Sequence, residues 1–97
     1  MQGGTRRIRI PISLVGYKAR VVSLDGSRVF SGTVIEETKN MIWLRTEDGK
    51  VVRLPKAGFR LIITLTEGER IGADGRYLIG RPADRVRAQK RMWIKVT

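Results

Sequence analysis

The chain contains no cysteine and no histidine. Its own residues therefore offer no disulfide, thiol nucleophile, Cys/His zinc site or imidazole acid–base scheme. Aromatics are scarce: Tyr17, Phe30, Trp43, Phe59, Tyr77 and Trp93 are all there are. They are not grouped as the paired stacking platform of a single-strand binder. Long apolar runs are missing too. The longest uncharged stretch, Ile10 to Tyr17, is eight residues, so no segment reads as a bilayer span. RRIRIPISLVG starts basic and continues apolar, but the apolar part is short, holds Pro11 and meets no small-residue cleavage site. It does not read as a signal peptide, and the cytoplasm is the expected compartment.

Acids are the last shortage. Nine Asp and Glu face twenty Lys and Arg, a net charge of +11 on 97 residues. Residues 1–20 hold five cations (Arg6, Arg7, Arg9, Lys18, Arg20) and no acid, and residues 77–97 hold six against Asp84 alone. The middle, 21–76, holds nine cations and eight acids. An excess segregated to the two ends favours an anionic partner, because like charges held together work against the compact state. With 41% hydrophobic residues the chain can form a core, and its length suits one domain. Its parts read as a basic N-terminal segment (1–14), a β body (15–80), a basic helix (81–91) and a tail (92–97).

Short Val/Ile/Leu/Thr runs separated by Gly, Asp and Asn predict strands near 17–24, 32–38, 41–46, 50–55, 58–66, 69–73 and 76–79. So many short antiparallel strands predict a mainly β fold, a small closed or half-closed barrel. In TEDGK, a two-residue loop would set Leu44 opposite Arg53 and mix the faces. A three-residue loop, Glu47-Asp48-Gly49 with Gly49 left-handed, pairs Leu44 with Val52 and Ile42 with Leu54. It also sets Trp43 beside Arg53 on the outer face, where a cation–π contact fits. Asp74-Gly75 is a second hairpin signal, and Lys39-Asn40 a weaker turn. Phe59 alternates with Leu61, Ile63 and Leu65, a core pattern. Pro82 suits the first position of a short C-terminal helix over PADRVRAQKR, which must dock through Val86.

Carboxylate pairs are poor candidates for catalysis. Glu36 and Glu37 point to opposite faces of a strand unless a bulge intervenes, and Glu47-Asp48 belongs to a turn. The chain reads as no enzyme by itself. Arg and Lys both bind phosphate, and charge without a stacking surface predicts recognition of nucleic-acid backbone and shape, as for folded RNA. The expected phosphate contacts are Arg81, Arg85, Arg87, Lys90 and Arg91 on the helix, with Lys18, Arg20, Lys56 and Arg76 as secondary contacts from the body. Trp43, Val86 and Trp93 are candidates for protein docking.

GTVIEETKNMIWL, VRLPKAGFRL and YLIGRPADRVRAQKR, in this order and spacing, resemble the archaeal ribonuclease P protein component 1 family, related to the Pop4-type subunit of eukaryotic ribonuclease P and MRP. The combination rests on Glu37, Thr38 and Asn40, on Leu54-Pro55-Lys56, and on Gly80, Arg81, Pro82, Asp84 and Arg85. The resemblance implies a strongly bent antiparallel barrel of the Sm-like or SH3-like kind. It implies a non-catalytic, RNA-binding subunit of a ribonucleoprotein whose RNA, with Mg2+, removes the 5′ leader of precursor tRNA. It also implies as partners the ribonuclease P RNA, a small zinc-binding ribonuclease P protein and other ribonuclease P proteins, with no membrane role. No cofactor is expected on this chain. VFSGTVIEE also resembles turns of small barrels in ribosomal or translation-associated proteins, the alternative reading.

Overall fold

The computed structural model describes Pro11 and residues 13–65, 68–80 and 93–96. Seven antiparallel strands form one sheet: β1 Lys18–Ser23, β2 Val29–Glu37, β3 Met41–Thr46, β4 Val51–Pro55, β5 Phe59–Thr64, β6 Arg70–Asp74 and β7 Ile94–Lys95, in the order β4-β3-β2-β1-β5-β6-β7. Alternation decides the faces. Ala19 and Val21 of β1, Ile42 and Leu44 of β3, and Phe59, Leu61 and Ile63 of β5 point one way and are buried. With Val34, Leu54, Ile71 and Ala73 they make a single cluster, so the sheet curls around its own core.

The predicted β3–β4 register is observed, with Leu44 opposite Val52, Ile42 opposite Leu54 and Trp43 opposite Arg53. The loop is Glu47-Asp48-Gly49, Gly49 stands at φ 88°, and the Asp48 carboxylate accepts from the Thr46 hydroxyl. Arg53 lies 5.9 Å from the Trp43 ring. At the β1–β2 turn the Asp25 carboxylate accepts from the backbone and hydroxyl of Ser27 and the hydroxyl of Ser23. These bonds, led by the Ser27 amide, lower its pKa to about 2.

Four expectations change. The sheet is open: β4 and β7 end the hydrogen-bonded order, and no pairing joins them among the described residues. β4 finishes at Pro55, which has no N–H to give a further strand, and β7 has only two residues. Residues 76–79 are not a strand; Gly75–Leu78 forms a 3-10 turn capped by Asp74, whose side chain accepts from the Arg76 amide. Asp74-Gly75 is accordingly no hairpin. Gly75 sits so close to the backbone of residue 56 that a Cβ would strike the Lys56 carbonyl oxygen. The tail supplies β7, paired with Ile71 and Gly72, and Trp93 before it is buried at 4% exposure. Trp93 is therefore a core residue and not an exposed docking anchor. The expected helix over 81–91 lies outside the described residues.

Candidate nucleic-acid interface

The three sequence segments that carry the family resemblance meet at one buried point. β2 has a bulge between Val34 and Glu36, which leaves Ile35 unpaired and shifts the alternation by one. Val34 faces the core, Glu36 faces out beside Trp43, and Glu37 turns inward opposite Ile42. There the Glu37 carboxylate meets Lys56 at 2.8 Å, with side-chain exposures of 1% and 0%. Lys56 Nζ also donates to the carbonyls of Lys39, Leu78 and Gly80 at 3.1–3.3 Å. The second Glu37 oxygen accepts from the Leu14 amide at 3.0 Å. The backbone closes the same knot, the Lys56 amide donating to Asn40 and the Gly80 amide to Lys39. The segments around Glu37–Asn40, Lys56 and Gly80 are thus tied by an ion pair inside the protein. Lys56 is not a surface phosphate contact. A buried ammonium is tolerable only where charge and hydrogen bonds answer it, and its three N–H groups are used inside the molecule.

The remaining cations divide. Arg76 is exposed, but its guanidinium already pairs with Asp74 at 3.0 Å and lies 5.8 Å from the Tyr77 ring. Their interaction lowers the Asp74 pKa against its own desolvation and raises that of Arg76. Lys18 and Arg20 point outward from β1, opposite to Ala19 and Val21. They are joined on that face by Arg45 of β3 and Arg70 of β6, which the sequence reading did not single out. Lys18, Arg20, Arg45 and Arg70 line an open groove of about 450 Å3, together with Ser31, Thr33 and Thr64. Among the described residues Lys18, Arg20 and Arg45 have no carboxylate partner. The signal that could have found Arg45 and Arg70 is the register: both stand in the same cross-strand row as Lys18. That row needs long-range pairing to be seen.

Trp43 is half-buried against Arg53. Arg81, Arg85, Val86, Arg87, Lys90 and Arg91 lie outside the described residues. Among the described residues no group of acids is placed to hold a metal.

The fold and this face define a class: a small antiparallel β protein whose sheet carries clustered cations on its outer side. The comparisons with known proteins narrow the class. The family model of ribonuclease P/MRP subunit p29 matches residues 10–88. Ribonuclease P protein component 1 of Methanococcus vannielii is 38% identical, over 76% of this chain and 80% of its own length. Ribonuclease P protein component 1 of Hyperthermus butylicus is 34% identical, over 82% and 74%. The solved structure of Mth11, described as a homologue of human RNase P protein Rpp29, is 31% identical and superposes with a TM-score of 0.52, over 76% of this chain and 97% of that one. The chain belongs to the ribonuclease P/MRP subunit p29 family.

Proposed function

We propose that this protein is a non-catalytic, RNA-binding subunit of ribonuclease P, of the Pop4 type, which assists RNA-catalysed removal of the 5′ leader from precursor tRNA. The family match over residues 10–88 carries the reading. The charge agrees with it: an excess of eleven positive charges suits a polyanionic RNA partner. Lys18 and Arg20 would contact phosphates from the sheet, Arg76 would add a weaker contact, and Arg81, Arg85, Arg87, Lys90 and Arg91 would grip from a basic helix. The bent sheet would then be the Sm-like body on which that helix docks through Val86. Half-buried Trp43 is the docking candidate that remains among the described residues, and its partner would include the zinc-binding ribonuclease P subunit. Mg2+ would belong to the catalytic RNA, and the cytoplasm is the compartment in which such an assembly would act.

The test is affinity for ribonuclease P RNA and for an unrelated folded RNA of equal length across a salt series. If about six phosphates are engaged, log affinity falls with log salt at a slope of roughly −4 to −5. The ribonuclease P RNA should be preferred. Changing Arg85, Arg87, Lys90 and Arg91 to Gln should remove that preference. Equal binding to both RNAs, with co-sedimentation on ribosomal subunits, would move the protein to the ribosomal class.

A further inference from the structure

We infer that the outer face of the sheet is a second nucleic-acid site, built to lie along the backbone of double-stranded RNA. The inference rests on the RNA-binding reading above. Cross-strand register sets one row of outward residues, Arg45, Thr33, Lys18, Thr64 and Arg70, running from β3 across β2, β1 and β5 to β6. Cations therefore recur at every second strand, about 10 Å apart, with a hydroxyl between each pair. Arg20 stands in the next row, flanked by Ser31. Both rows line the same groove, in which Glu47 of the β3–β4 loop is the single acid among the described lining residues.

Three features select the ligand. Clustered cations without carboxylate partners, as Lys18, Arg20 and Arg45 are among the described residues, call for a polyanion. Among the described residues no aromatic side chain lines the groove, so they offer bases nothing to stack on. Contact must then be with backbone. The hydroxyls supply the third feature. Thr33, Thr64 and Ser31 can each donate and accept, as needed to read the 2′-hydroxyl that distinguishes RNA from DNA across the wide, shallow minor groove of an A-form duplex. A hydrogen-bonded sheet also fixes the spacing of the backbone positions from which the cations reach. That suits a duplex, whose phosphates are equally fixed, better than a flexible strand.

The experiment uses the full chain and three probes: an RNA duplex of about 20 base pairs, the DNA duplex of the same sequence, and one RNA strand alone. The intact protein should bind the RNA duplex most tightly. Lys18→Gln with Arg45→Gln should weaken duplex binding about tenfold and reduce the salt slope by about 2. Thr33→Val with Thr64→Val keeps the β-branched shape, and should shrink the RNA-over-DNA preference while leaving the slope unchanged. Unchanged affinity and slope in the charge variant, with the intact protein still binding RNA, would remove the groove and leave the proposed function standing. Equal losses for duplex and single strand would overturn the duplex assignment. Loss of binding to a ribonuclease P protein in place of RNA would make the face a protein interface and overturn the inference. Failure of the intact chain to bind ribonuclease P RNA would instead sink the functional reading on which it rests.

Discussion

Lys56 shows how a single side chain can be misjudged from its neighbours in sequence. Beside Pro55 and before an Ala-Gly turn it reads as a surface cation, yet none of it is exposed. What answers its charge comes from far along the chain: Glu37, and the carbonyls of Lys39, Leu78 and Gly80. Breaking a buried pair from one side leaves an uncompensated charge, which costs about 3–5 kcal/mol. Lys56→Met should therefore destabilise by about that much. For a domain of this size each kcal/mol lowers Tm by roughly 4–8 °C, so the loss will be plain in a thermal scan. Glu37→Gln combined with Lys56→Met should recover part of it, because no unpaired charge then remains. Unfolding of the wild type, both single variants and the double variant closes the cycle. A Lys56→Met protein within about 1 kcal/mol of wild type would mean that the ion pair does not hold the three segments together.

At the scale of the element, β7 and Trp93 make the sharpest contrast with β3 and β4. The β3–β4 hairpin was legible because alternation, an Asp-Gly turn and runs of six and five residues all specify the same register. β7 has two residues, too few for a period. It pairs with Ile71 and Gly72 of β6, and a Cβ on Gly72 would come within 3.2 Å of the Val96 side chain. Trp93 is buried by that docking, which no local pattern signals. The bulge at Ile35 was equally hidden: it shows only as a shift in pairing, and it alone turns Glu37 inward. Lys18 and Arg20 could be placed on one face by alternation, whereas their neighbours Arg45 and Arg70 needed the tertiary register. Trp93 also offers a clean test of its role. Among the described residues its Nε1 has no hydrogen-bond partner, so the contribution the structure shows is packing. Trp93→Ala should cost about 3–5 kcal/mol, whereas Trp93→Phe should lose only part of the buried area and keep most of the stability. Chemical denaturation of both variants measures this. Equal, near-zero effects would return Trp93 to the surface as a docking residue.

Across the whole molecule, burial and charge have been sorted into separate regions. Among the described residues one cation, Lys56, is used up inside, paired with Glu37, while those of the groove share a single outer face. The rest of the excess sits in the flanking basic segments of the sequence. A protein charged in this way can lower the electrostatic cost of compacting an RNA by replacing the diffuse cations around its phosphates. If the protein acts on ribonuclease P RNA as proposed, the Mg2+ concentration for half-maximal precursor-tRNA cleavage should fall when it is added. The shift should shrink as monovalent salt is raised, since screening weakens the same contacts. The groove variant Lys18→Gln/Arg45→Gln, with two positive charges fewer, should show a smaller shift than wild type at equal saturation. A Mg2+ requirement that does not move on addition of saturating wild-type protein would separate RNA binding from RNA folding. The role of the subunit would then have to lie in positioning another protein of the assembly, for which half-buried Trp43 is the starting point.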